Sequence, residues 1–277
     1  MIYFPPCKIN LGLHILQKRA DGYHELETGM LEIPFQDILE IIPCDEFRFS
    51  SSGLEIPGGT NSCIAAYDLL KQRFALPPVH IHLHKMVPMG GGLGGGSSDS
   101  TSVLKALNQR FQLGLTKDEL KDFAALLGSD NAFFVEGGLQ LAKGRGELLE
   151  PLHLSSLDFR VCIINIGVHV STKDAYAQVV PFSARTDLRT ILQQHPDTWK
   201  SDLVNDFEPS VFAKFPELAK LKSEFYDNGA IYAAMSGSAS SCIQNSKKTQ
   251  VVRNCTFVDI IVQIFTVIGC WVFGISF

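Results

Sequence analysis

The residues best placed to do chemistry stand in one run, Pro88-Met89-Gly90-Gly91-Gly92-Leu93-Gly94-Gly95-Gly96-Ser97-Ser98-Asp99. Six glycines around one leucine leave backbone N–H groups uncovered and permit positive φ. A helical pattern follows at once, with Val103, Leu104, Leu107 and Phe111 at helical spacing. A glycine loop feeding a helix N-terminus is an anion site, because unpaired N–H groups and the helix dipole both favour phosphate. Ser97, Ser98 and Asp99 can cap that helix or offer oxygens to a phosphate or to Mg²⁺. The plainer reading is a flexible Gly/Ser linker, and the setting between a strand and an amphipathic helix speaks against it. The run is not a Walker A loop, since no Gly-Lys-Ser/Thr follows. Nor is it a dinucleotide fingerprint, which needs far less glycine.

Phosphoryl transfer needs a placed hydroxyl, a carboxylate to take its proton and a cation to stabilise charge. Lys8, at the entry to a strand, and Asp130, just past a helix end, are candidates. Each could equally be an ordinary surface charge.

The elements that must position these groups follow from periodicity. Ile9 to Leu16 reads as a strand, Met30 to Ile42 as one or two more, and Phe47 to Leu54 as an edge strand. Asn61 to Phe74 carries a helical stripe. Val79 to Lys85 is a half-buried strand with His80, His82 and His84 on one face. Period-2 spacing in one strand seldom gathers three zinc ligands, so a solvated or nucleotide-facing histidine face is expected. The helix after the glycine loop runs to about Leu113, and Thr116 to Glu119 is a capping box for another that Gly128 ends. Strands are expected at Phe133–Val135 and Gly138–Ala142, with a turn at Gly144-Arg145-Gly146. Beyond Leu152, Phe159 to Ile166 reads as a strand, and Ser171 to Val179 and Thr186 to Gln193 as helices. Two more helices lie between Ser201 and Tyr226, with a break near Pro209 or Pro216, and Ala230 to Ala234 returns as a strand. This order suggests two α+β domains, residues 1–150 and 151–277, the second ending in an atypical tail over 242–277.

The chain has 277 residues, 45% hydrophobic and 19% charged, enough for a substantial core. A net charge of −5 with no long basic run argues against nucleic acid as a partner. The seven cysteines show no Cys-x-x-Cys pair and no zinc spacing, which suits reduced thiols in the cytoplasm. Cys7 beside Lys8 reads as a packing residue. The opening residues carry no signal or transit character.

The glycine loop resembles the phosphate-binding motif of the GHMP superfamily of small-molecule kinases (galactokinase, homoserine, mevalonate and phosphomevalonate kinases). Within it, three other segments resemble the 4-diphosphocytidyl-2-C-methyl-D-erythritol kinases of the non-mevalonate isoprenoid route. They are Pro6 to Leu13, Arg19-Ala20-Asp21-Gly22-Tyr23-His24-Glu25-Leu26, and Met235-Ser236-Gly237-Ser238-Ala239-Ser240-Ser241. The Asp-Gly-Tyr-His segment is the most specific. The resemblance implies an N-terminal domain like the second domain of ribosomal protein S5 and a ferredoxin-like C-terminal domain. It implies ATP and Mg²⁺ as phosphate donor and counter-ion, and 4-diphosphocytidyl-2-C-methyl-D-erythritol as acceptor. Lys8 and Asp130 become the catalytic pair, the aspartate as base. Pro88, Met89, Gly90, Gly91, Gly92, Leu93, Gly94, Gly95, Gly96, Ser97 and Ser98 become the ATP loop. Tyr23, His24 and Tyr176 would hold the cytidine end, and Asn10 the erythritol hydroxyls. The Asn205-Asp206-Phe207-Glu208 segment reads as a helix start and packing element. Rival readings are another small-molecule kinase of the superfamily, a catalytically impaired nucleotide-binding relative, and a membrane-tethered protein. Monomer and homodimer both remain open.

Three departures from the family stand out. Asn131 and Ala132 follow Asp130 where a small residue and a proline are usual, which frees φ and could loosen the aspartate. Ala239 replaces a glycine. Ser241 is followed by Cys242, whereas the family's continuation, Val-Phe-Gly, appears only at Val272-Phe273-Gly274. Cys242–Trp271 therefore reads as an insertion. Taken at face value, the tail offers either buried strands or, over Ile260 to Phe277, an apolar stretch near the minimum for a membrane span.

Overall fold

The computed structural model describes residues 1–58, 61–154, 159–167, 170, 175–176, 179–237, 241–246 and 269–275, the last two stretches as backbone only. The chain divides into two compact units. The first comprises Met1–Lys8, Glu32–Met89 and Leu93–Gly138; the second comprises Ile9–Leu31, Gly90–Gly92 and Leu139–Phe277.

The first half opens with β1 (Ile2–Tyr3), β2 (Pro6–Lys18), β3 (His24–Gln36), β4 (Ile38–Pro43) and β5 (Arg48–Gly53). It continues with α1 (Ser62–Lys71), β6 (Val79–Lys85), α2 (Gly95–Phe111), α3 (Lys117–Leu127) and α4 (Phe133–Glu136). One sheet runs in the order β1-β4-β6-β5, with β4 antiparallel and β5 parallel to β6. Alternation sorts β6: Val79, Ile81 and Leu83 face the core with Leu39 and Ile41, and α1 and α2 cover them through Tyr67, Leu70, Leu104 and Leu107. The opposite face carries the three histidines. All three are half-buried. Ser50 Oγ bonds His80 and His82, and Ser52 Oγ bonds His82 and His84, across from the parallel edge strand β5. Among the described residues no group of three His, Cys, Asp or Glu side chains is arranged to hold a metal.

The capping box opens α3 as expected: Thr116 Oγ1 accepts from Glu119 N while Glu119 reaches back to Thr116 N. The strand expected at Phe133–Val135 is a helical turn instead. Aromatic and β-branched composition suggested a strand, but tertiary context overrides it. Phe134 N bonds Asn131 O, Gly137 N bonds Phe133 O, and all three apolar side chains are buried.

The second half supplies β7 (Leu139–Gly144), β8 (Leu148–Pro151), β9 (Phe159–Asn165), α5 (Leu188–Gln193), α6 (Trp199–Asp202), α7 (Glu208–Lys214), α8 (Pro216–Asp227), β10 (Tyr232–Met235), β11 (Ser241–Ser246) and β12 (Gly269–Ile275). Two further sheets run β2-β3-β7-β8 and β10-β11-β9-β12. Leu13, Ile15, Ile164, Phe207, Leu218, Phe225 and Met235 share a core. The helix break falls at Phe215-Pro216, because proline lacks the N–H that would continue α7. Of the helix expected at Ser171 to Val179, only Ala175 and Tyr176 are described as helical.

The tail is partly strand. β11 and β12 flank β9 in matching register, so that Cys242 and Cys270 both lie opposite Ile164. Residues 247–268, and with them half of the apolar stretch, lie outside the described residues. Among the described residues no helix is long and apolar enough to cross a membrane.

Candidate active site

Gly94, with φ of 65°, is the N-cap of α2, and no side chain caps this end. The helix therefore begins before Ser97, Ser98 and Asp99, which lie in its first turns instead of ahead of it. Their expected capping role falls to the glycine. The first intrahelical bond is Ser98 N to Gly94 O. The N–H groups of Gly95, Gly96 and Ser97 thus have no carbonyl one turn back, and they concentrate the positive end of the helix dipole. Ser98 Oγ is buried without a hydrogen-bond partner, an orphan that fits an incoming phosphate oxygen or metal-bound water.

Lys8 stands beside this turn. Its backbone N–H donates to Leu93 O at 2.9 Å, which fixes the start of β2 against the glycine loop. Its ammonium lies 3.2 Å from Asp130 Oδ2; the lysine is buried and the aspartate 30% exposed. The pair anticipated from sequence does meet in space. Gly94 is required here, since an added Cβ would come within 3.0 Å of the Phe134 ring and 3.1 Å of Lys8 Cγ.

Asp130 lies in the turn between α3 and α4. The loosening expected where Ala132 stands in place of a proline is not what the structure shows. The Asn131 amide donates to Ser97 O at 3.1 Å, Ser100 Oγ at 2.8 Å and Thr101 Oγ1 at 3.2 Å. Thr101 Oγ1 donates in return to Asn131 O. Asn131 thereby fastens the Asp130 turn to α2 and replaces the stiffness a proline would give with a hydrogen-bonded anchor.

In the second unit, Asn10 donates from Nδ2 to Thr28 Oγ1, and its backbone N–H donates to Ser236 Oγ. Ser236 Oγ donates to Gly92 O at 3.2 Å. Gly237, with φ of 63°, faces Asn10 Oδ1, where a Cβ would stand 3.2 Å away. Asn205 holds this turn from behind, donating to Met235 O and Gly237 O. Ser238, Ala239 and Ser240 lie outside the described residues.

His24 stacks on Tyr176, with centroids 4.8 Å apart and planes inclined by 21°. Phe207 meets Tyr176 edge-on. Burial, with Lys18 in support, lowers the His24 pKa, so the ring is neutral at physiological pH. Tyr23 is separate from this stack: it is exposed, its ring lies under the Arg145 guanidinium at 5.0 Å, and its N–H donates to Asp21. Arg19 holds the segment closed through Asp21 and Glu25.

Sequence reasoning passed over two residues beneath the glycine loop, Asp37 and Lys85, and did not foresee that Asp99 joins them. Lys85 reaches both Asp37 and, at 3.0 Å, Asp99. An isolated acid between two apolar strands and a lysine at the end of a half-buried strand were the available signals. Burial works against the Lys85 ammonium, but Asp99 and Asp37 more than offset it and raise its pKa.

Comparison with known proteins gives the family. The family model described as GHMP kinases N terminal domain matches residues 61–138, and that described as GHMP kinases C terminal matches 184–244. The chain is 49% identical over 244 residues to the 4-diphosphocytidyl-2-C-methyl-D-erythritol kinase of Cytophaga hutchinsonii, covering 87% of this chain and 90% of that one. It is 46% identical over 247 residues to the enzyme of that name from Bacteroides fragilis, with the same coverage. A crystal structure of 4-(cytidine 5'-diphospho)-2C-methyl-D-erythritol kinase superposes with a TM-score of 0.79 at 31% identity, over 89% of this chain and 90% of that one. The mevalonate kinase of Methanococcus jannaschii, at 13% identity and a TM-score of 0.65 over 89% and 90% of the two chains, shares the fold. The chain belongs to the 4-diphosphocytidyl-2-C-methyl-D-erythritol kinase family of the GHMP kinases, with the two-domain α+β fold of that superfamily.

Proposed function

We propose that this chain transfers the γ-phosphoryl group of ATP to the 2-hydroxyl of 4-diphosphocytidyl-2-C-methyl-D-erythritol. The observation that carries the reading is the Lys8–Asp130 pair, 3.2 Å apart and tied through Lys8 to the loop that opens α2. Asp130 accepts the proton of the attacking hydroxyl. Lys8 holds the carboxylate in place and stabilises charge on the alkoxide oxygen as it forms. The amides of the first turn of α2, within the loop Pro88 to Ser98, hold the β- and γ-phosphates. Mg²⁺ bound with the triphosphate supplies further neutralisation of its charge. The unpartnered Ser98 hydroxyl is the group in this chain best suited to meet that complex.

For the acceptor, Tyr23 offers an exposed aromatic face to cytosine, a contact worth about 1–3 kcal/mol per base. Neutral His24, steadied by Tyr176, can accept a hydrogen bond from the base's amino group or donate one to the diphosphate. Asn10 is assigned to the erythritol hydroxyls. Residues 1–150 and 151–277 are read as the N-terminal and C-terminal halves of the kinase.

The test is ADP release with 4-diphosphocytidyl-2-C-methyl-D-erythritol, homoserine and mevalonate offered separately. Turnover confined to the first supports the assignment. Preference for either of the others would refute it.

A further inference from the structure

Beneath the glycine loop lies a charge cluster that the proposed chemistry does not use. Lys85, the last residue of β6, is 1% exposed, and Asp37 and Asp99 are equally withdrawn from solvent. Lys85 Nζ donates to Oδ2 of each aspartate. Asp37 Oδ1 accepts from Met86 N at 2.5 Å and Val87 N at 2.8 Å, the two residues that lead into the loop. Asp99 sits on α2, the helix into which the loop runs. The ammonium lies close under the helix start, where a Cβ added at Gly95 would stand 2.8 Å from Nζ.

One end of the loop is thus held by Asp37, the other by Asp99, and Lys85 joins the two. A glycine-rich segment has the most conformational freedom to lose. Its amides can point at one anion only if both of its ends are fixed. We propose that Asp37, Lys85 and Asp99 are positioning residues for the phosphate loop, forming a buried bridge that fastens its entry to its exit and sets the direction of its amides. This rests on the reading that the loop takes the triphosphate.

Two carboxylates share the one ammonium, and each is placed by a different neighbour: Asp37 by the backbone that enters the loop, Asp99 by the helix that leaves it.

The experiment is calorimetric titration of the full chain with Mg-ATP, and separately with the cytidyl acceptor. Lys85→Met is expected to weaken Mg-ATP binding by about tenfold or more while leaving acceptor affinity in place. Asp99→Asn keeps an oxygen for Lys85 and is expected to stay within about threefold of the parent. Should Lys85→Met fail to fold with two buried carboxylates stranded, Asp99→Ala cuts one leg only and is expected to show the same nucleotide-specific loss. A folded Lys85→Met or Asp99→Ala that binds Mg-ATP within about twofold of the parent overturns the proposal. A parent chain that binds no Mg-ATP overturns instead the function on which it rests.

Discussion

At the scale of single residues, the account depends on a carboxylate held in one place. Asp130 is gripped on one side by Lys8 and on the other through Asn131. Asp130→Asn keeps the shape and removes the base, so kcat is expected to fall by about 10²–10⁴ with nucleotide binding retained. An unchanged rate would take the base role from Asp130. Asn131→Ala should lower kcat by about tenfold, because displacement of a reacting group by an ångström can cost more than that. Unaltered kcat would mean that the anchor to Ser97, Ser100 and Thr101 does not hold the aspartate. Lys8 and Asp130 were legible in the chain only beside the family's motifs, since either alone has the character of a surface charge. The grip of Asn131 was not legible, because its three partners lie some thirty residues earlier on α2.

At the scale of elements, strand β6, the glycine loop and α2 were readable because alternation, glycine content and helical spacing change abruptly at their borders. The Phe133–Glu136 turn was misread, because local β-propensity carries no information on a hydrogen bond from Phe134 back to Asn131. Gly94→Ala places a side chain at φ of 65° against Phe134 and Lys8, so it is expected to reduce turnover and nucleotide affinity together. Loss of one without the other would show that the cap does not couple loop and lysine. Strand β2 carries a second liability. His14 is fully buried, neither ring nitrogen has a hydrogen-bond partner, and burial, aided by Arg185, lowers its pKa to about 4. A depressed histidine pKa means that the unfolded chain binds the proton more readily. Its contribution to stability is intact above pH 6.5 and is lost as pH falls toward 4, about 3 kcal/mol in all. Urea melts at pH 7 and pH 4 should show this loss, and His14→Gln should shrink it. An equal loss in the variant would place the acid sensitivity elsewhere.

At the scale of the whole molecule, the chain matches its relatives until late in its length: the C-terminal family model ends at residue 244, within β11. The family's Val-Phe-Gly continuation stands in β12, on the opposite side of β9 from β11. Joining Ser241 to Val272 would return that continuation to the place next to β10. A chain lacking Cys242–Trp271 is therefore expected to fold and to release ADP. Failure to fold would mark the segment as integral to the sheet. The central claim is tested most directly by coupling ADP release from the purified full chain to a spectrophotometric readout, with Mg-ATP present and 4-diphosphocytidyl-2-C-methyl-D-erythritol added last. The account predicts a steady rate that begins with the acceptor and is abolished in Asp130→Asn. A chain that binds Mg-ATP yet shows no acceptor-dependent rate would contradict it.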